Sequence, residues 1–440
     1  MARKVDWNKL LVITAVVVNM LNSLLLMRTL MKDVGLAYYD EVAAELAREG
    51  RSFTAYVVSD RPVMGALKRW RVAHGLWVSK VEWRPGLPLP PGSRVYAYDE
   101  PGVSIYSVFP SPLPRGTVNP VYEVHGIYGT RYRGRGVRVV VVDTGVDYTH
   151  PDLRGAVVML VSFVVQTTDG RPLVWVVGVN GTLDEALEYD RQVYESTGVY
   201  AWLDENGHGT HVCGIIAGRG VASAGRFRGV APSAKLIVVK AFSKAGTTSV
   251  DLMLDALTWI ADHVKADVVN LSFGTRKADP ESPLALAAAR LAERGMIVVA
   301  AAGNEGQVPG TILSPASSPE VLAIAAYDPF NGVIAPFSSM GPSRGADKPD
   351  FAAVGVSVCA AFPTYTVELE KMIKVRRVMG CYACLSGTSM ATAVATGIVA
   401  LHVEARWPAH RVTEDYLAEY ALPVQLTKGW LAGHGLLTAP

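Results

Sequence analysis

Cysteine is scarce in this chain, with four in 440 residues, which excludes a small fold stapled together by disulfides. Net charge is equally low. A formal +2 from 42 basic and 40 acidic side chains gives no field that would gather nucleic acid or a strongly anionic surface. No internal repeat and no low-complexity tract appears, so the chain does not read as an array. Aromatic residues are modest at 8%, while half the residues are hydrophobic and 41 are glycine. Such a balance is ordinary for a well-packed α/β protein. The length allows one large domain and a smaller one.

At the N-terminus Arg3, Lys4 and Lys9 precede Leu10 to Met27, a stretch without charge that is interrupted by Asn19, Asn22 and Ser23 and followed by Arg28 and Lys32. It is longer than a usual signal core, yet short and polar for a spanning helix, and no Ala-x-Ala site follows closely. Residues 1–30 therefore read as a signal peptide or as an uncleaved membrane anchor, with a buried soluble helix as the plain alternative. Either targeting reading puts the rest of the chain outside the cytoplasm, secreted or at the cell surface.

Four stretches carry chemistry. Gly387-Thr388-Ser389-Met390-Ala391 opens a small-residue run through Gly397 that suits a helix packed on nearly all sides. Thr388 is the expected cap, with Ser389 in the first turn, where unpaired N–H groups favour negative charge on a bound carbonyl oxygen. Val139 to Val142 followed by Asp143 reads as a buried parallel strand ending in an acid, and sites form at such ends. Asn206-Gly207-His208-Gly209-Thr210-His211 opens another helix, its glycines allowing close approach to the imidazole. His208 and His211 could hold a metal, but no third ligand stands at helical spacing. After the apolar strand from Met296 to Val299, Asn304 in Ala301-Ala302-Gly303-Asn304-Glu305 sets an amide at a strand end, where an oxyanion donor could sit.

Each piece alone is weak; together they resemble the subtilisin-like serine proteases, or subtilases. The resemblance rests on "VVVVDTGVDYTHPDL", "NGHGTHVCG", "NLSFG", "AAAGNEG" and "GTSMATAVATG", in the Asp, His, Ser order known for subtilisin, from about Val121 to the C-terminus. It implies a three-layer α/β fold with a mostly parallel central sheet. It implies the triad Asp143, His208 and Ser389, with Asn304 and the Ser389 N–H as oxyanion donors. Ser272, Phe273 and Gly274 would form an edge for an extended substrate, and Ala301, Ala302 and Gly303 would line the pocket beside the attacked bond. Small walls there, with Glu305 at the rim, point to apolar side chains. The implied activity is that of a serine endopeptidase acting on proteins or peptides. Alternatives are an exopeptidase of the same fold and a peptide-binding pseudoprotease without turnover.

Ahead of this region, Asp40 to Glu49 reads as a short helix within a connector, 31–50. Ser52 to Ser59 reads as a strand, and Asp60 to about His74 as a helix. Leu76 to Trp83, Val95 to Tyr98 and Val103 to Val108 read as further strands. This α+β unit, 51–115 with its linker, resembles the family's propeptide, which assists folding and inhibits until cut; a permanent accessory domain is the plain alternative. Cleavage is expected in the exposed Pro110–Pro120 linker. The catalytic domain is then 116–440, with strands and helices alternating as in a doubly covered parallel sheet.

Several features depart from the family's usual pattern. Ala393-Val394 replace its Pro-His after the serine. The stretch from Val161 to Asp204 is long and carries Asp184, Glu185, Glu188, Asp190 and Glu195, reading as a solvated insertion or, more sharply, as a cation-binding loop. The run from Thr364 to Gly380 is also long, and Lys371, Lys374, Arg376 and Arg377 mark an exposed basic loop flanking the leaving-group side. No cofactor is needed for the chemistry. Structural calcium is possible, but the family's strong site looks absent: Asp152 matches one ligand, while the facing loop from Arg219 to Arg228 offers no Asp or Asn. Asp152 is expected to pair with one of its arginines instead. Cys359 is expected to join Cys381 or Cys384 across the hairpin leading to Ser389, leaving Cys213 a buried free thiol.

Overall fold

The computed structural model describes residues 37–98, 102–105, 108–111, 119–276, 279–343, 346–424 and 429–440. The charge-free stretch from Leu10 to Met27 lies outside the described residues. The chain divides into two compact units, the first ending at Tyr98 and the second running from Asp99 to Pro440.

In the first unit a five-stranded sheet has the order β1-β5-β2-β4-β3. The strands are β1 (Tyr38–Tyr39), β2 (Phe53–Ser59), β3 (Lys68–Arg71), β4 (Trp77–Trp83) and β5 (Arg94–Tyr96), with helix α1 at Glu41–Arg48. Phe53, Val57, Val81, Trp83 and Val95 pack around Ala43 of the helix. Two expectations are corrected here. No helix spans Asp60 to His74: Lys-Arg-Trp-Arg alternates, putting only Trp70 inward, and pairs with β4 as an edge strand. Residues 37–50, the described part of the expected connector, belong to the sheet-and-helix unit itself. Asp40 caps α1 through the Ala43 N–H at 2.8 Å and also accepts from the Ala97 N–H at 3.3 Å, tying helix and sheet together. The unit closes at Tyr98, so the segment from Val103 onward belongs to the larger body.

The second unit is built on a sheet whose parallel centre runs β9-β11-β8-β13-β14-β15-β17. These strands are β8 (Arg138–Asp143), β9 (Val157–Gln166), β11 (Lys235–Lys240), β13 (Val268–Leu271), β14 (Ile297–Ala301), β15 (Leu322–Asp328) and β17 (Phe351–Val354). Val139 to Val142 of β8 are wholly buried, each worth about 1.5–3 kcal/mol of burial. Because β8 sits between β11 and β13, chain order reverses at its edge, and in such sheets a crevice opens at the carboxyl ends of the strands there. Asp143 is the last residue of β8. The unit's helices include α2 (Pro120–Val124), α3 (Leu183–Thr197), α4 (His208–Ala217), α5 (Val250–His263), α6 (Pro283–Glu293), α7 (Glu368–Ile373) and α8 (Thr388–Arg406), with two short ones after α8 at Glu414–Ala418 and Gly429–Ala432.

Helix α8 is long and apolar enough to cross a bilayer, but every residue from Thr388 to Val403 is buried. It is the core helix. Its register is tight: a Cβ on Gly397 would stand 2.5 Å from the Val230 Cβ. The stretch from Val161 to Asp204 is less of a solvated loop than its charge suggests. The end of β9, strand β10 (Pro172–Val176) and α3 form a covered edge, in which Trp175, Tyr189 and Trp202 pack together. Its carboxylates are engaged locally. Asp184 binds Arg154, Glu185 closes the α3 capping box, Glu188 pairs with Arg191, and buried Asp190 takes the N–H groups of Ala201 and Leu203 and the Tyr148 hydroxyl.

Cys359 and Cys384 face each other across β18 (Val358–Ala361) and β20 (Tyr382–Ser386) and are disulfide-bonded; Cys213 is buried and free, and Cys381 is also a free thiol. Asp152 is a correction. One carboxylate oxygen accepts the Ala222 N–H at 3.1 Å and the other the Tyr382 hydroxyl at 2.9 Å, while the Arg219 guanidinium goes to the Gly155 carbonyl. A backbone amide and a phenol satisfy Asp152 without desolvating an arginine beside it.

Three buried histidines set an acid limit on this fold. His125 donates from Nδ1 to the Leu437 carbonyl and accepts the Val354 N–H at Nε2, 3.0 Å, an arrangement only the neutral ring can make. Burial pushes its pKa down to about 4, that of His402 to about 4 and that of His211 to about 3. An unfolded histidine titrates near 6.5. The folded value lies below it, so the stability is fully present above about pH 6.5 and is lost as pH falls toward 4, by about 3 kcal/mol for His125. Buried Asp190, Asp204 and Asp350 are shifted upward by burial and work in the opposite sense, so the informative quantity is a difference between variants. In a Ser389→Ala background, His125→Gln should flatten the dependence of unfolding free energy on pH near pH 5 by up to about 1.4 kcal/mol per pH unit. Identical slopes would contradict the assignment.

Candidate active site

The acid and the imidazole meet as their motifs predict. His208, the first residue of α4, places Nδ1 2.8 Å and 3.0 Å from the two Asp143 carboxylate oxygens, and both side chains are fully buried. Two glycines permit the approach. Gly207 precedes the helix at φ +109°, and a Cβ on Gly209 would collide with the Gly145 carbonyl. Asp143 Oδ1 also accepts the Thr144 N–H at 2.8 Å, so the carboxylate is held from its own turn. The other ring nitrogen, Nε2 of His208, is buried without a hydrogen-bond partner. An unpartnered basic nitrogen in a closed site is where a general base would receive its proton.

Ser389 lies in the first turn of α8, and its hydroxyl donates to the Ser272 carbonyl at 3.0 Å. The Ser272 hydroxyl donates in turn to the Ser389 carbonyl at 3.1 Å and accepts from Asn270 Nδ2 at 2.9 Å. Asn270 Oδ1 accepts the Thr396 hydroxyl at 3.0 Å. This chain of bonds fixes the start of α8 against the end of β13. Helix α8 begins at Thr388 itself, and Gly387 takes the position before it. Thr388 is therefore not the cap. Its N–H and hydroxyl both reach Asn304 Oδ1, at 3.0 Å and 2.9 Å. Two donors on one side-chain atom identify that atom as the oxygen and Nδ2 as the donor end of the amide.

The chain crosses this site with its own backbone. Strand β6 (Val103–Ser104) pairs antiparallel with β12 (Thr247–Thr248). On its other side Ser104 exchanges two backbone hydrogen bonds with Gly274, 3.2 Å each. The Ile105 N–H continues to the Gly246 carbonyl at 3.0 Å. Further on, β7 (Phe109–Pro110) pairs antiparallel with Leu385 and Ser386 of β20, just ahead of Ser389. Residues 103–105 thus lie between two strand edges, and residues 109–110 lie against a third, three residues ahead of Ser389. The Ser272–Gly274 edge was expected; the partner edge at Gly246 to Thr248 was not, since nothing in its sequence distinguishes it from a turn. Ala301 and Ala302 are buried at the end of β14, and Gly303 packs under Leu313 and Ser339. Glu305 is paired with Arg276 at 3.1 Å, so its charge is balanced.

One residue that motif reading passed over is central. Asp204 is fully buried and accepts the Thr144 hydroxyl at 2.8 Å, the N–H groups of Asn206 and Gly207, and the N–H and hydroxyl of Thr210. It joins the residue after Asp143 to the turn that carries His208. Burial raises its pKa and these bonds oppose the rise. The available signal was an acid four residues before the histidine, which looks like any turn aspartate.

An Asp–His pair at a parallel-sheet switch point, with a serine at the start of a buried helix beside it, is the arrangement expected of α/β serine hydrolases. The chain belongs to the subtilase family, whose model matches residues 134–420. It is 33% identical over 290 residues to serine protease AprX of Bacillus subtilis, covering 62% of this chain and 58% of that protein. To the thermophilic serine proteinase of Bacillus sp. strain AK1 it is 33% identical over 267 residues, 60% of this chain and 52% of the other. The thermostable alkaline protease of Halalkalibacterium halodurans is 32% identical over 306 residues, covering 70% and 67%. The chain spans little more than half the length of the first two.

Proposed function

We propose that this protein is a serine endopeptidase that hydrolyses peptide bonds through Asp143, His208 and Ser389. The observation carrying the reading is the buried Asp143–His208 pair with an unpartnered Nε2, on a helix packed against α8, which carries Ser389 in its first turn. For catalysis the Ser389 hydroxyl leaves the Ser272 carbonyl and takes Nε2 as its acceptor. Ser389 Oγ then attacks the carbonyl carbon of an extended substrate while its proton passes to His208, and Asp143 stabilises the imidazolium. The oxyanion takes hydrogen bonds from Asn304 Nδ2 and the Ser389 N–H at the positive end of α8. His208 returns the proton to the leaving amine, and water repeats the sequence on the acyl-enzyme. Ala301, Ala302 and Gly303 supply small walls for an apolar side chain before the cut.

The first unit serves as a propeptide, and the chain's own segment ahead of the linker is the first substrate. Ser104 pairs with Gly274, two residues past the Ser272 whose carbonyl holds the Ser389 hydroxyl, and Phe109 pairs with Ser386, three residues before Ser389. The bond presented for cutting therefore falls between Ile105 and Phe109, a few residues ahead of the Pro-rich linker. N-terminal sequencing of the active form should begin at one of residues 106–109, and Ser389→Ala should remain uncut there. An active form still carrying Ser52 would contradict this. We further assign the mature enzyme to the outside of the cell, released or tethered by residues 1–30, and assign no calcium to Asp152, whose oxygens are already engaged. An end-blocked peptide separates the endopeptidase from an exopeptidase, because only the former cleaves it.

A further inference from the structure

The geometry points to a basic subsite on the leaving-group side, formed by Lys374 and Arg376, that selects substrates carrying an acidic side chain three to seven residues beyond the cut. The inference rests on the endopeptidase reading above.

Strand β20 has two edges. One is filled by β18 from Val358 to Ala361. The other is shared end to end: Leu385 and Ser386 pair with β7, and Tyr382 and Ala383 pair with β19 (Arg377–Val378). A segment leaving Ser389 along this edge therefore runs straight at the start of β19. The chain's own segment shows where it stops. The Ser111 N–H donates to the Cys384 carbonyl at 3.0 Å, and its hydroxyl lies 2.6 Å from that of Ser386. The Ser111 N–H already takes the Cys384 carbonyl, and β19 begins with Arg377 opposite the next residue, Ala383, so Arg376 stands where the two strand ends meet. The residue in Ser111's place and the next one therefore approach Arg376, with Lys374 two residues behind.

The basic residues of this insertion divide by their partners. Arg377 makes a two-pronged pair with Glu370, 2.7 Å at each contact, and donates to the carbonyls of Pro363, Tyr365 and Gly380. That cation is structural. Lys371 pairs with Glu368 at 3.4 Å. Lys374 and Arg376 are exposed and have no carboxylate partner among the described residues. The platform beneath them is anchored, since the N–H groups of Glu368 and Leu369 donate to the carbonyls of Glu205 and Asn206, 3.0 Å each, directly before Gly207 and His208. Two unbalanced cations on a fixed platform, at the end of a strand-adding edge, suit a carboxylate on an extended peptide. The chain's own segment has no acid between Phe109 and Gly116. It marks the path of a substrate without being the preferred one.

The test uses end-blocked peptides identical through the second residue after the cut, with Asp, Ala or Lys placed at each of positions three to seven, assayed on the mature enzyme. A peptide ending at position two supplies each enzyme's reference rate. At low salt kcat/KM should follow Asp over Ala over Lys, about 3- to 10-fold between Asp and Lys, as for exposed charge pairs, and the ratio should shrink toward one in high salt. The charge-reversed variant K374E/R376E should invert the order, which a merely structural role for the loop would not do. Equal rates for Asp and Lys peptides, or an unaltered order in the reversed variant, would overturn the inference while leaving the endopeptidase standing. Cleavage of no peptide at all would overturn both.

Discussion

Ser389→Ala should lose hydrolysis by on the order of 10⁶-fold in kcat, the size found when a subtilisin loses its nucleophile or its base. His208→Ala should match it. Asp143→Ala should fall by about 10⁴-fold, because it leaves serine and imidazole in place but unoriented. The triple variant should be no worse than Ser389→Ala. Non-additivity follows from the mechanism, since a base without a nucleophile, or a nucleophile without a base, contributes nothing alone. Ser389→Ala removes one hydroxyl hydrogen bond, so its folded state should survive. Asp143→Ala leaves the buried Thr144 N–H and His208 Nδ1 without their acceptor, so its folding is checked as well. His208→Ala needs more care, because the ring fills a wholly buried position. An end-blocked peptide assay, with near-ultraviolet circular dichroism as the check on folding, reads the outcome after the linker has been cut in trans. Normal turnover by folded Ser389→Ala would remove the proposed chemistry.

Asn304→Ala should lower kcat by about 10²- to 10³-fold with little change in KM, the loss that subtilisin suffers without its own oxyanion asparagine. The geometry here explains why that magnitude should transfer. Asn304 Oδ1 is held by two donors from Thr388, which fixes the amide against turning over and leaves Nδ2 as its donor end. Asn304→Asp should be as damaging as alanine, since a carboxylate offers no donor and repels the oxyanion. Thr388→Val should fall between, because it removes the hydroxyl and keeps the backbone N–H. A rise in KM with unchanged kcat in Asn304→Ala would show that the residue binds the ground state and not the oxyanion.

How much of this is legible in the sequence depends on whether a residue's task is local. The Val139–Asp143 strand, the Gly-flanked His208 and the small-residue helix after Ser389 are local patterns, and each lies where its pattern says. The helix expected from Asp60 to His74 fails because an edge strand of four residues with one inward Trp70 has too few positions to show a period. A Thr before a helix ordinarily caps it. The Thr388 hydroxyl instead goes to Asn304, 84 residues away in sequence, and no local pattern reports a bond of that span. Asp204 escapes notice partly for the same reason: its bonds to Asn206, Gly207 and Thr210 look like any turn aspartate's, and the one that ties it to the site, from Thr144, spans 60 residues. The arginine pairing expected of Asp152 fails because Tyr382, its actual partner, arrives from 230 residues further along.

The central claim is that Ser389 is a nucleophile activated by His208, and labelling with a fluorophosphonate tests it most directly. The mature enzyme should take up one equivalent, peptide mapping should place the adduct on Ser389, and folded His208→Ala should label at a rate lower by several orders of magnitude. A folded mature enzyme that stays unlabelled, or an adduct carried by any other residue, would contradict the account.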